Sequence, residues 1–388
     1  TQDMNVSIIG ASTTTFGELW DVSPRHLARE VVNAAMKDAD IMPRDIGALF
    51  VGNMLSGMLG SQEHLGAFFA EELGFTGAAA FKIEGACASG GLAIHNAVNA
   101  IISGQYETVA VLGVEKMTDH RPEDVATALM GAGSSQESAA GCTFPGLYAI
   151  LTRVHMKEYG TTREDLAAVA VKNHFHASLN PHSQFKKPIT MEAVLRSHTV
   201  ADPLTLLDCS PISDGAAAII ITRDKRHETR DKRTVSIIAS CVATDTLGLA
   251  QRQSLTELKA SQEAARRAYT IAGVAPRDID IAEVHDCFTI AEILALEDIS
   301  FFDKGMAAQA ISRGEVTLGK AKKLVVNPSG GLKGCGHPIG ATGVKQVVEI
   351  VEQLRGAAGA RQVNGARVGL AHNVGGTGAT AVVHILKK

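Results

Sequence analysis

A chain of 388 residues has room for two or three domains with a sizeable core, and 45% hydrophobic with 20% charged residues is a globular balance. A net charge of −4 gives no reason to expect nucleic acid as a partner, and no run approaches the roughly 20 apolar residues of a membrane span. Abundant glycine (38 residues) with only 4% aromatics suits an α/β protein with many tight strand-to-helix turns.

In chain order, Val6-Ser7-Ile8-Ile9 reads as a strand, and Ser23-Pro24 as an N-cap followed by Pro at the first helical position. That helix carries Val31, Val32 and Ala35 on one face. Pro43-Arg44-Asp45-Ile46 leads into an apolar strand at 49–51. A tight turn, Gly85-Ala86-Cys87-Ala88-Ser89-Gly90-Gly91, opens a helix whose Ile94, Val98 and Ile101 share a face, with Gly104 as its stop. A strand follows at 109–113. The next stretch is Gly- and Ser-rich near 131–141 and His-, Lys- and Asn-rich over 172–198, which predicts a loop-rich lid.

The pattern then returns. Val235-Ser236-Ile237-Ile238 repeats the first strand, Pro276-Arg277-Asp278-Ile279 repeats the proline turn, and 368–371 repeats 109–113, at offsets of 229 to 259 residues. Asp214-Gly215-Ala216-Ala217-Ala218-Ile219 and Thr377-Gly378-Ala379-Thr380-Ala381-Val382 are only 163 apart. The difference, about 96 residues, predicts an insertion in the first half between 117 and 213. Each half alternates strands with helices, which predicts a mostly parallel, buried sheet.

Four chemistry-bearing segments fall at matching strand ends: the Cys87 turn; His285-Asp286-Cys287-Phe288; Gly336-His337-Pro338-Ile339-Gly340, before the stripe Val344, Val347, Val348 and Val351; and His372-Asn373-Val374-Gly375-Gly376. Ligands of open α/β sheets gather beyond the carboxyl ends of strands, so one cleft can hold all four. A thiol at a helix N-terminus is expected to favour the thiolate, and a histidine beside it to take the proton, which points to covalent acyl chemistry. The competing reading is a zinc site from His285, Cys287, Cys335 and His337, whose one-residue gaps fit poorly; no metal is expected. The six cysteines (87, 142, 209, 241, 287 and 335) include no C-x-x-C pair, which suits a reducing compartment. The expected location is the cytoplasm, or the mitochondrial matrix for a chain that has lost a leader; Lys387-Lys388 is not a peroxisomal ending.

Together these segments resemble the thiolase family, most closely its SCP2-type branch, over the whole chain. Ser213-Asp214-Gly215-Ala216-Ala217 and Asn180-Pro181-His182-Ser183-Gln184-Phe185 add to the likeness. The resemblance implies two duplicated βαβαβαββ halves in an α/β/α/β/α core, with a loop domain inserted in the first. The halves would be 1–117 with 214–233, and 234–388, around an insertion at 118–213. It implies a CoA-dependent acyltransferase that interconverts 3-ketoacyl-CoA plus CoA with acetyl-CoA plus a shortened acyl-CoA. CoA is then a substrate, no cofactor is tightly bound, and the protein is a homodimer or homotetramer.

On that resemblance Cys87 is acylated, His337 deprotonates it, Cys287 is the second acid/base, and His285 holds a water beside one thioester oxygen. Backbone N–H groups of Cys87 and Val374 would hold the other. Conventional thiolases have Asn-Glu-Ala-Phe at 285–288 and their second cysteine where this chain has His372, so the acid/base thiol has moved to another loop. Substrate contacts are expected from His372 and Gly375, from Phe144 and Leu147 bordering an acyl tail, and from Arg153 and Lys186 toward the CoA phosphates. Two other readings are an acyl-CoA-binding protein with little turnover and a ketoacyl-synthase-type condensing enzyme.

Overall fold

The computed structural model describes residues 4–223 and 234–388. The first half contributes β1 (Val6–Thr13), β2 (Ala48–Gly52), β3 (Ala79–Ile83), β4 (Thr108–Glu115) and, after a short β5 (Thr199–Ala201) and β6 (Leu204–Thr205), β7 (Gly215–Arg223). The second contributes β8 (Val235–Thr244), β9 (Ile281–Glu283), β10 (Val325–Val326), β11 (Val368–Gly375) and β12 (Thr380–Lys387).

The two halves have one topology. The strand order runs β3-β2-β4-β7-β1 in the first and β10-β9-β11-β12-β8 in the second. In each, the first two pairings are parallel and the last two antiparallel, so the fourth strand runs against the other four. All four repeated sequence segments fall on equivalent elements: β1 and β8, the proline turns before β2 and β9, β4 and β11, and β7 and β12. The halves join edge to edge through two residue pairs, Ser7 with Ser236 and Ile8 with Val235, making one ten-stranded sheet.

Six helices matter for the site: α1 (Pro24–Ala39), α2 (Ser89–Ile102), α3 (Phe144–Tyr159), α4 (Arg163–Ser178), α5 (Lys259–Ala272) and α6 (Ile339–Arg355). Ser23 caps α1 by accepting from the His26 N–H at 3.2 Å, and Leu27, Val31, Val32 and Ala35 bury one face at helical spacing. α1 covers β1 and β7 from outside, and α5 covers β8 and β12 likewise. Between the halves lie α2 and α6, against β4, β7 and β11. That is the expected five-layer arrangement, and it explains why α6 is buried nearly all round, Lys345, Gln346 and Glu349 included. α2 ends near Gly104, whose φ of +79° lets the chain turn away. The two central helices meet backbone to backbone: a Cβ at Gly90 would lie 2.7 Å from the Gly340 carbonyl oxygen.

Residues 116–214 separate β4 from β7. The expectation of a loop-rich lid is corrected over 144–178, which α3 and α4 fill almost completely, whereas 179–190 holds no helix or strand. Thr143 caps α3, and a Thr162/Asp165 capping box opens α4. The start of the polar run that suggested loop, 172–178, lies in α4 and is largely buried. Asn173 Nδ2 donates to Asp286 Oδ2 and Glu292 Oε2, both at 2.7 Å, Lys172 pairs with Glu292 at 2.9 Å, and His176 Nδ1 meets the Asn327 carbonyl at 2.9 Å. A helix buried on several sides and bonded through polar groups shows no amphipathic period. Among the described residues no helix is long and apolar enough to cross a membrane.

Candidate active site

The turn from β3 into α2 places Cys87 one residue ahead of the Ala88 N-cap. Ala86 adopts φ +52°, a left-handed conformation unusual for a residue with a Cβ. Ser89 braces this turn from both sides: its Oγ accepts from the Gly85 N–H at 3.0 Å and donates to the Ala86 carbonyl at 2.6 Å. The half-buried thiol receives the Gly376 N–H and its own backbone N–H. Both favour the thiolate, yet desolvation outweighs them, with the Glu115 carboxyl adding to it, and the thiol is pushed up to about 12. The helix end does not ionise Cys87, and a neutral thiol must give its proton to a base.

A histidine from the other half faces the same cavity as Cys87. His337 lies between β10 and α6, as Cys87 lies between β3 and α2. Thr342 Oγ1 donates to the Pro338 carbonyl at 3.1 Å, so it accepts from His337 Nδ1–H at 2.6 Å. Nε2 therefore carries the lone pair, and it is buried without a partner. Burial holds the imidazole neutral, with its pKa lowered to about 3.

His285 is fixed in the opposite sense. The Gly91 N–H can only donate, so the atom of Asn373 that meets it at 3.1 Å is Oδ1. The Nδ2 group then faces the Cys87 carbonyl at 2.9 Å and His285 Nδ1 at 3.2 Å. With Nδ1 accepting, His285 carries its proton on Nε2, which is also buried and unpartnered. Burial, with His337 and His372 nearby, keeps this ring uncharged. The rings of His285 and His337 meet edge to face at 5.2 Å, and one nitrogen of each lies with the Cys87 sulfur inside a 4.8 Å group. One imidazole thus offers a lone pair and the other an N–H donor.

Cys287 follows β9 and shares the cavity with Cys87, its thiol pushed well above the ordinary value by burial and by Cys87. That cavity, of ≈ 210 Å³, is lined by Cys87, Cys287, His337, Tyr148, Phe288 and Gly376, with an apolar wall of Met117, Leu129, Phe144, Ile212 and Ile339. Two side chains clamp the closing loop: Tyr148 Oη donates to the Gly376 carbonyl at 3.0 Å, and Arg252 Nη1 to the Thr377 carbonyl at 2.6 Å. Buried Glu115 ties the halves together at the site, accepting from Asn53 Nδ2 and from the N–H groups of Met54, Leu55 and Gly340. Desolvation raises that carboxyl to about 7.

The structure redistributes the remaining expected contacts. His372 does not follow β11 but lies within it, paired with Val383. Alternation along the strand turns His372 to Ser261 of α5, at 2.8 Å, and Asn373 to the site. The Gly376 amide lies at the Cys87 sulfur, and Val374 lies within β11, paired with Ala381. Gly375 packs tightly, since a Cβ there would lie 2.5 Å from the Gly85 carbonyl oxygen. Phe144 lines the cavity, whereas Leu147 faces the core and Tyr148 takes the expected place. Arg153 is exposed and pairs with Asp202; Lys186 donates to the Asn180 and Pro181 carbonyls. Neither lines the cavity. Cys335 sits apart from the histidines, 3.7 Å from Asn180 Nδ2, so the four residues of the zinc reading do not converge.

Comparison with known proteins decides the family. A model described as "Thiolase, N-terminal domain" matches residues 6–225, and "Thiolase C-terminal domain-like" matches 241–388. The chain belongs to the thiolase family. It is 48% identical over 386 residues to an acetyl-CoA acetyltransferase of Methanothermobacter thermautotrophicus, covering 99% of this chain and 100% of that one. It is 35% identical over 386 residues to human sterol carrier protein 2, covering 94% of this thiolase and 69% of that chain. A solved structure titled "Ltp2-ChsH2(DUF35) aldolase" shares the fold at a TM-score of 0.83, with 24% identity, 99% of this chain and 98% of that one aligned.

Within this thiolase Asn373 fixes which nitrogen of His285 is protonated. Asn373→Ala is expected to slow thiolysis by about 10²–10³-fold, the usual loss of one oxyanion donor. Steady-state rates with acetoacetyl-CoA and CoA check it, and an unchanged rate refutes the assignment.

Proposed function

We propose that this thiolase cleaves 3-ketoacyl-CoA with free CoA, and runs the reverse Claisen condensation, through an acyl group on Cys87. The observation that carries the reading is that Cys87 and Cys287 open on one cavity with His337, whose Nε2 is free to accept a proton; Cys209 is a third thiol on that wall. Cys87 attacks the C3 carbonyl while His337 Nε2 takes its proton. His285 Nε2–H faces the reaction centre as a donor to a thioester oxygen, directly or through a water. The C2–C3 bond then breaks, its electron pair passes to C2, and the Cys287 thiol supplies that carbon with a proton.

Acetyl-CoA leaves, and a CoA thiol gives its proton to the Cys287 thiolate as it attacks the acyl-Cys87 carbonyl. The negative oxygen formed there is received by the N–H groups of Cys87 and Gly376; as it collapses to the new thioester, the carbon–sulfur bond to Cys87 breaks and His337 returns its proton to that sulfur. No tightly held cofactor enters these steps; CoA is consumed and released as substrate. The name of the Methanothermobacter relative makes acetoacetyl-CoA the first substrate to try.

The test is incubation with acetoacetyl-CoA and CoA. Acetyl-CoA is expected; tight CoA binding without thiolysis sinks the proposal. For Cys287→Ala, transfer of an acetyl group onto Cys87 is expected to persist while deuterium exchange at the acetyl-CoA methyl collapses by about 10²–10⁴-fold, the range for a lost general base. Unchanged exchange in deuterated water removes Cys287 from the role.

A further inference from the structure

We propose that Tyr148 is a catalytic residue of this reaction: its hydroxyl donates to the Cys287 sulfur while that atom is a thiolate, and to the Gly376 carbonyl while it is a thiol. The inference rests on the reading of Cys287 as acid/base. Tyr148 comes from α3, in the insertion, and brings the only phenol to the cavity wall. Its ring lies 4.6 Å from that of Phe288, tilted by 30°, which holds it beside the residue that follows Cys287. The hydroxyl is buried, bonded to the Gly376 carbonyl at 3.0 Å, and within hydrogen-bonding reach of the Cys287 thiol.

A phenol has one proton and here two acceptors. Which acceptor receives it depends on whether the sulfur is charged, because a donor to an anion makes the stronger bond. The site offers that thiolate little else. Cys87 and the Asp286 carboxyl disfavour charge on Cys287, and the groups that favour it are the Tyr148 hydroxyl and the Phe288 N–H. His285 and His337 are held neutral. The phenol keeps its own proton, since burial and the neighbouring sulfurs push Tyr148 well above the ordinary tyrosine range. During exchange the methyl C–H bond of acetyl-CoA breaks, its electron pair stays on the carbon, and the proton bonds to sulfur. The Tyr148 O–H stays intact throughout and swings between acceptors.

The experiment pairs Tyr148→Phe with two readouts. Deuterium exchange into the acetyl-CoA methyl is expected to fall by about 10–100-fold, as for a lost hydrogen bond to a charged group, with acylation of Cys87 far less affected. In a Cys87→Ala background, iodoacetamide alkylation of Cys287 against pH is expected to shift to higher pH when Tyr148→Phe is added. Unchanged exchange overturns the proposal. So does a parallel fall of exchange and acylation with an unmoved alkylation profile, which marks a merely structural loss.

If the phenylalanine variant does not fold, fluorotyrosine replacing the chain's four tyrosines keeps the shape and strengthens the donor. The alkylation profile then moves to lower pH, and an unmoved one overturns the proposal. Exchange surviving in Cys287→Ala defeats the underlying reading instead, so the two failures are distinct.

Discussion

Cys87→Ala is expected to lower thiolysis by on the order of 10⁴–10⁶-fold, the scale of losing a nucleophile whose partners act as a unit. No other thiol has its surroundings. Cys287 shares the cavity, but the Gly376 amide is aimed at Cys87, as is the bend held by Ala86 and Ser89. The methyl group of alanine keeps the contacts that Cys87 makes with the apolar cluster of Leu55, Met117 and Ile339, so the fold is expected to survive. Mass spectrometry of protein incubated with acetoacetyl-CoA checks the step directly: the parent carries an acetyl group on Cys87 and the variant carries none. Residual turnover close to the parent's means that acylation occurs elsewhere.

His337→Gln is expected to cost about 10²–10⁴-fold, the range for a general base, because a thiol raised to about 12 cannot ionise unaided at neutral pH. The same burial sets the pH dependence. With the imidazole lowered to about 3, the base stays free throughout the mildly acidic range, so no loss of kcat/KM near pH 6.5 comes from His337. Stability behaves differently. His174, His176, His337, His372 and His384 are each lowered to about 3, whereas in the unfolded chain they titrate near 6.5. Between those values the unfolded state binds more protons, so stability falls as pH drops from 6.5 toward 3. Urea unfolding across pH 4 to 8 checks the sign, and a midpoint that rises on acidification contradicts it.

Cys87 and Cys287 were legible because each closely follows a strand, and His337, preceded by the helical turn Gly331–Cys335, because it opens α6, each in a short motif whose neighbours are small or fix the backbone. Their assembly was legible through the duplication, which puts the Cys87 and His337 turns at equivalent places before α2 and α6. Asn373 was missed for a one-residue reason: reading β11 as ending at Ala371 hides the alternation that aims 373, not 372, at the site. Leu147 and Tyr148 differ in the same way, by one step of helix phase. Glu115 gave no local signal, since its partners Met54 and Gly340 are far away in sequence. The stretch from 172 to 178 read as loop because its polar residues, Lys172 and Asn173 among them, spend their hydrogen bonds inside the protein.

The contact between α2 and α6 has a further consequence. Cys87 and His337 belong to different halves, and their separation is set by two helix backbones touching through glycine. A Cβ at Gly343 would come within 2.3 Å of both the Gly91 nitrogen and Asn373 Oδ1. One methyl there would wedge the halves apart and strike the amide that orients His285. The chemistry therefore behaves as a gauge of mating between two similar bodies: a misfit too small to unfold either would still register as lost turnover.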